Sequence, residues 1–192
     1  MLMRNGRLAR LRSHFDEATH TLAIAADGQV LRGDLRTPAG RAAVERFFAT
    51  FCADELRGPP KLLHAEGFSF SDVARKVVSI INLASVAAVE DAVGAPVHPL
   101  RFRANLYVRG WPAWHEFGLL GKEVAIGPAA RLRIVKRIVR CAATDVDPDT
   151  GIRDLSIPDT LAASFGHGDC GVYGEVIEAG EIAVGDGLRE RP

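Results

Sequence analysis

The sequence predicts an α+β fold that is mainly β, a closed or partly closed antiparallel barrel decorated by a few helices. Three observations lead there. Short segments with strand patterning, each bounded by turn residues, fill the C-terminal two thirds, and helical periodicity surfaces only occasionally between them. No GxxxxGK[ST] phosphate loop occurs, which disfavours a sheet built around that kind of ATP site. The composition, 192 residues with 47% apolar and 25% charged side chains, suits one substantial core or one core plus a small appendage, hence one to two domains.

Taken in chain order, the elements follow from local signals. Thr19 to Ala25 alternates around Leu22 and Ile24, Asp27-Gly28 is a turn signal, and Gln29 to Leu35 resumes the extended pattern, giving a β-hairpin. Thr37-Pro38 sets a capping hydroxyl before a proline, and Val44, Phe47, Phe48 and Phe51 share one face of a helix over about residues 38–54. Gly58-Pro59-Pro60 breaks the chain, so residues 1–60 read as a hairpin-and-helix piece and residues 61–192 as the barrel. Leu62-Leu63 and a loop from Gly67 to Asp72 lead into Val77 to Ile81, which is β-branched and short, as a buried strand is. Asn82 caps a helix with Val86, Val89 and Val93 on one face and Gly94 at its end. Strand patterning returns at Arg101 to Arg109, Lys122 to Ile126, Leu132 to Ala142, Gly171 to Glu178 and Glu181 to Val184.

No apolar run is long enough to span a bilayer and the N-terminus lacks the apolar region of a secretory signal, so a cytoplasmic location is expected. Cys52, Cys141 and Cys170 are too few and too scattered for a disulfide framework, and Cys52, beside the apolar helix face, reads as core. A formal net charge of zero argues against a dedicated nucleic-acid binder. It conceals an asymmetry: residues 1–140 carry 21 basic and 13 acidic side chains, a balance of +8, whereas residues 141–192 carry 3 and 11, a balance of −8. The two portions either pair off on folding or leave the basic one free for an anionic ligand. Arg4, Arg7, Arg10 and Arg12 read as a solvated helix face.

The densest feature is Arg131, Arg133, Lys136, Arg137 and Arg140 on one strand that runs into Cys141. Five cations cannot all face an apolar core. Either the strand is a sheet edge guarded by charge, or some of the cations line an anion site. A guanidinium beside a thiol favours the thiolate, the nucleophilic and soft-metal-binding form, so Cys141 is the cysteine with chemistry. Beyond it, Asp145, Asp147, Asp149 and Gly151 approximate a calcium loop, but the glycine falls at the seventh position and Ser156 stands where a bidentate carboxylate should be. A tight turn over Asp147 to Gly151 explains them better. His167 and Cys170 have a spacing that could join Cys141 in a zinc site, with no fourth ligand evident. Trp111, Trp114 and His115 read as a pocket wall or as barrel packing, and Glu116 has no carboxylate partner at a readable spacing.

Several motifs in order resemble a known family. Arg140-Cys141 with Thr144, then Val146-Asp147-Pro148-Asp149-Thr150-Gly151, Gly171-Val172-Tyr173-Gly174 and Gly180-Glu181-Ile182-Ala183-Val184-Gly185-Asp186, resemble the MOSC domain, the molybdenum cofactor sulfurase C-terminal type. Phe102-Arg103-Ala104-Asn105, Trp114-His115-Glu116 and Ile126-Gly127 fit the same pattern upstream. The similarity runs over about residues 61–188 and points to the branch of the mitochondrial amidoxime reducing component and related bacterial proteins.

The resemblance implies a MOSC-type β-barrel that binds the molybdenum cofactor of molybdopterin type, a pterin dithiolene with a terminal phosphate, with residues 1–60 as the remnant of a family N-terminal module. It implies Cys141 as the catalytic metal ligand, a thiolate that would join two soft dithiolene sulfurs on the metal. Arg103 and Asn105 correspond to cofactor contacts, Arg140 would be a further one, and Arg75 and Lys76 align more loosely with polar contacts of relatives. Three departures stand out. Ala104 replaces the proline of the family's Phe-Arg-Pro-Asn motif, and Phe117-Gly118-Leu119-Leu120 lacks the usual aromatic. The chain also starts after most of the module that helps clasp the cofactor phosphate in longer relatives, a clasp that a homodimer or a longer reading frame would complete. The function implied is a molybdenum-dependent oxidoreductase that reduces N-hydroxylated or N-oxide-type small molecules with electrons from a separate reductase; no nucleic acid or membrane partner is expected. The alternatives are a carrier, in which Cys141 bears a persulfide or the domain delivers the cofactor, and a domain that keeps only the fold.

Overall fold

A computed structural model describes residues 2, 4–67, 73 and 75–191, so the predicted loop from Gly67 to Asp72 lies outside the described residues after Gly67. The fold is α+β, 28% helical and 30% strand. The chain forms two compact units, residues 1–68 with 146–153, and residues 69–145 with 154–192.

The first unit is a three-stranded antiparallel meander, β1 (Arg12–Asp16), β2 (Thr21–Ala26) and β3 (Gln29–Asp34), with helix α1 (Pro38–Phe51). The predicted hairpin is β2–β3, turned by Asp27 and Gly28 at φ 51° and 78°, the left-handed pair that matches strand twist. The Thr37 hydroxyl accepts the Gly40 N–H at 3.0 Å, as its capping role requires. α1 approaches β3 closely: a Cβ on Gly33 would stand 2.8 Å from the Gly40 carbonyl oxygen. Cys52 is buried with Phe51 and Ala26 in this unit's core. The basic N-terminus is not the expected helix face. Gly6–Arg10 is a 3-10 turn and Arg12 begins β1, with Arg10 paired to Asp27, Arg7 lying 5.2 Å over Phe51, and Arg12 bound to Asp149 at 2.6 Å. Registry with β2 outweighs helix propensity there. Asp147 Oδ1 accepts the N–H groups of Asp149 and Thr150 at 3.1 and 2.7 Å, which closes the turn expected over Asp147 to Gly151.

The second unit is a curled six-stranded half-barrel in the order β5-β4-β8-β7-β6-β9. Its strands are β4 (Val78–Asn82), β5 (Leu106–Val108), β6 (Glu123–Ile126), β7 (Ala130–Val139), β8 (Asp169–Glu178) and β9 (Leu188–Glu190), and only β4–β5 is parallel. Ile80, Val124, Leu132, Ile134 and Val172 form one core, and Ile81, Val86, Val89, Ile157, Leu161 and Cys170 the other, with helices α2 (Leu83–Val93) and α3 (Ile157–Phe165). Cys170 and Val172 would share a face in a regular strand; Gly171, at φ 81°, switches the alternation. A Cβ there would sit 2.5 Å from the Ile80 carbonyl oxygen. Asn82 caps α2 by accepting the Ala84 N–H at 3.1 Å, and Gly94 ends it at φ 71°.

Three expectations change. β7, the strand of five cations, is interior to the sheet, so it is not a guarded edge. Arg101 to Arg109 is a 3-10 turn (Pro99–Phe102) followed by the short β5. Glu181 to Val184 is not a strand, because Asp186 Oδ2 takes the Ala183 N–H at 2.8 Å and bends the chain; β9 lies further on and pairs with β6. Among the described residues no helix is long and apolar enough to cross a membrane.

Candidate functional site

The last residues of β7 carry the site. Arg140 follows the strand, and its guanidinium turns inward: Nε donates to the Cys170 carbonyl at 2.7 Å and Nη1 to the Phe102 carbonyl at 3.0 Å, with the Phe102 ring 5.2 Å away. Burial pushes the guanidinium below its ordinary value, and the nearby Cys170, Tyr173, Cys141 and Tyr107 act in the other direction. The carbonyls it meets are backbone, so its charge is satisfied without a carboxylate. Cys141, the next residue, is exposed. Its carbonyl accepts both the N–H and the hydroxyl of Thr144 at 3.0 Å, which fixes the backbone that presents the thiol. Cys170 is the opposite case, buried, its thiol driven by burial up to about 12 against the pull of Arg140.

The other sequence-predicted residues divide. Arg103 is exposed in a left-handed conformation, φ 50° and ψ 46°, and its side chain makes no hydrogen bond or ion pair among the described residues. Three contacts fix its surroundings: Arg140 on the Phe102 carbonyl, the Ala104 N–H donated to the Tyr107 hydroxyl at 3.0 Å, and Asn105. The proline of the family motif could not make the Ala104 bond, since it has no N–H. Asn105 Oδ1 accepts from the Ser79 N–H at 3.0 Å and the Ser79 hydroxyl at 2.8 Å. Arg75 is tied to Glu175 through Nε–Oε1 at 3.0 Å and Nη2–Oε2 at 2.5 Å. Lys76 is exposed ahead of β4.

Sequence reasoning missed Arg101. It is 3% exposed and grips Asp154 with two bonds of 2.8 Å and the Asp145 carbonyl at 3.0 Å, anchoring the turn that carries Arg103. A bidentate pair at such separation leaves no mark in local sequence. Glu116 is fully buried and accepts from Asn82 Nδ2 at 2.9 Å and the Ser85 hydroxyl at 2.8 Å, while the same Ser85 oxygen accepts the Trp114 N–H at 2.8 Å. Trp114 packs with Phe165, His167 and Phe117 at 4.7, 5.3 and 5.6 Å, and Arg137 covers Phe117 at 4.3 Å. His167 Nδ1 accepts the Asp169 N–H at 3.2 Å, and among the described residues no three His, Cys, Asp or Glu are grouped to hold a metal. Gly166, Gly168 and Gly171 have GxGxxG spacing but lead from α3 into β8, the reverse of the strand-to-helix order a dinucleotide turn needs. A cavity of about 310 Å³, lined by Val78, Leu106, Ile126, Ala130 and Leu132, is at the other end of β7, about 30 Å along the strand from Cys141.

An exposed thiol directly after a half-buried arginine, at the end of a central strand of a curled β-sheet, defines a β-rich domain with one accessible cysteine at its rim. The model of the MOSC domain matches residues 62–189, and the chain belongs to this family. MOSC domains are associated with the molybdenum cofactor. No curated protein matches the chain.

Proposed function

We propose that this protein binds the molybdenum cofactor and reduces N-hydroxylated or N-oxide-type substrates with electrons from a separate reductase. The observation that carries the reading is Cys141: an exposed thiol beside a guanidinium that is held on two backbone carbonyls. The donor set fits the group. A thiolate is a soft donor suited to molybdenum, and Arg103 offers an uncommitted guanidinium to the anionic end of the pterin. Cys141 would hold the metal and Arg103 the pterin phosphate. Arg140 and Asn105 would act through the backbone they fix, with Lys76 near β4 and Arg75 held by Glu175 at the margin. When bound, the cofactor supplies a two-electron redox centre to which a substrate oxygen can bind. Reduction of an N–OH group consumes two electrons and two protons and releases water, so a reductase must feed the site.

The test is elemental. Protein purified from a host that makes the cofactor should carry stoichiometric molybdenum and pterin, lost in Cys141→Ala, and should reduce an N-hydroxylated amidine when a reductase is added. The same accessible thiol would serve a persulfide carrier, and sulfane sulfur without molybdenum would favour that reading instead.

A further inference from the structure

We propose that Lys136 and Arg103 form a two-cation seat for the cofactor's terminal phosphate, with the Tyr173 hydroxyl between them; this rests on the cofactor reading above. Ser79 of β4 pairs with Tyr173 of β8, and Tyr173 pairs with Lys136 of β7. Directly paired residues point to the same face, so these three side chains form a row across the sheet. Asn105, bonded to Ser79 through its N–H and its Oδ1, extends the row toward β5. At about 4.8 Å per strand, the row from Asn105 to Lys136 is about 14 Å long. Arg103 stands at one end and Lys136 at the other, and both side chains are long enough to lean over Ser79 and Tyr173.

The charges at this place have no protein carboxylate to meet. Among the described residues the side chains of Lys136, Arg103 and Tyr173 make no hydrogen bond or ion pair, although Lys136 and Arg103 are exposed and Tyr173 is half-buried. The other β7 cations are engaged: Arg131 by Glu178, Arg133 by Glu123, Arg137 by Asp169 and Phe117, Arg140 by carbonyls. Glu175, two residues along β8 on the same face, is taken by Arg75. Arg140, half-buried, adds a positive charge that meets backbone carbonyls and no carboxylate. Two exposed cations, a phenol donor and a fixed charge behind them are what a phosphate with several acceptor oxygens requires.

The experiment uses protein purified from a cofactor-making host and reads retained pterin, oxidised to its fluorescent product, after gel filtration in high salt. Lys136→Ala should retain about tenfold less than wild type, Lys136→Arg should retain it, and Arg133→Ala should be indistinguishable from wild type. The melting temperatures of cofactor-free Lys136→Ala and cofactor-free wild type should agree, since Lys136 is exposed and unpartnered among the described residues. Wild-type retention by Lys136→Ala overturns the seat. If wild type carries neither pterin nor molybdenum, the cofactor reading fails and a second measurement decides the seat by itself: calorimetric titration of the chain with inorganic pyrophosphate. Binding weakened about tenfold in Lys136→Ala and in Arg103→Ala keeps an anion seat for another phosphate compound; binding unchanged in Lys136→Ala, or none in wild type, removes it.

Discussion

The two ends of β7 share a composition and differ in what the register sets opposite. At the Ala130 end, Arg131 pairs with Glu178 on β8 and Arg133 with Glu123 on β6. At the Val139 end, Lys136 faces Tyr173, and Arg140 donates to the carbonyls of Cys170 and Phe102. The first end is neutralised, whereas at the second Arg137 reaches Asp169 at 4.0 Å and, among the described residues, Lys136 and Arg140 have no carboxylate. Much of the sequence's charge asymmetry is resolved in the same way, with Arg12, Arg75, Arg101 and Lys122 finding Asp149, Glu175, Asp154 and Glu190. What a cation does is decided by what the fold sets against it, and at the Cys141 end Lys136 and Arg140 meet a phenol and backbone carbonyls rather than carboxylates.

The sharpest way to break that end is Gly171→Ala. At φ 81° an alanine is strained, and its Cβ would stand 2.5 Å from the Ile80 carbonyl oxygen, a backbone atom that cannot turn aside. A loss of about 4 kcal/mol by denaturant titration is expected from strain and overpacking together. Next comes Arg140→Ala, which strands two carbonyls and should cost about 3 kcal/mol. It should also raise amide exchange at Arg103, whose N–H bonds the Leu100 carbonyl inside the turn that Arg140 caps. An Arg140→Ala protein as stable as wild type would mean that its bonds to the two carbonyls contribute nothing.

How much of this was legible follows from whether the signal is local. The Asp27-Gly28 hairpin, the Thr37 and Asn82 caps and the Gly94 stop sit within a few residues of what they control, and each stands where the sequence puts it. α3 carries equally local marks, Pro158 in its first turn and Gly166 at its end. Ile182 and Val184 imitate strand alternation, but the Asp186 bond to Ala183 bends the segment. At the site, Cys141 beside Arg140 is local and could be read. Arg101 with Asp154, Ser85 with Glu116 and Lys136 with Tyr173 are contacts between distant elements that exist only once the sheet has its register.

The two cysteines flanking Arg140 offer a comparison in pH. The Cys170 thiol is raised from an ordinary 9.0 to about 12 by burial, so the unfolded chain releases that proton first. Its contribution to stability is whole below about pH 9 and is lost as pH rises toward 12, with a slope of at most about 1.4 kcal/mol per pH unit. Cys170→Val, which fills the same apolar site without an ionisable group, should flatten that part of the stability curve relative to wild type. Equal slopes in the two proteins would show that the thiol does not titrate on unfolding. Alkylation of the folded protein by iodoacetamide should fall on Cys141 and spare Cys170 and Cys52.

The smallest effect belongs to the neutral end. Arg133 and Glu123 meet at 2.8 Å, and Arg133 holds the Glu123 carboxyl below the usual carboxylate range, yet the Arg133 side chain is half exposed. Such a pair gains little in water and is screened by salt, so Arg133→Ala should change stability by less than about 1 kcal/mol, and less still in high salt. Arg140, on the same strand and of the same residue type, should cost several times more and show no such salt dependence, because its partners are carbonyls shielded from ions. If Arg133→Ala proved the costlier of the two, the ranking of the two ends would be reversed, and burial of the guanidinium rather than its charge would no longer explain the difference between them.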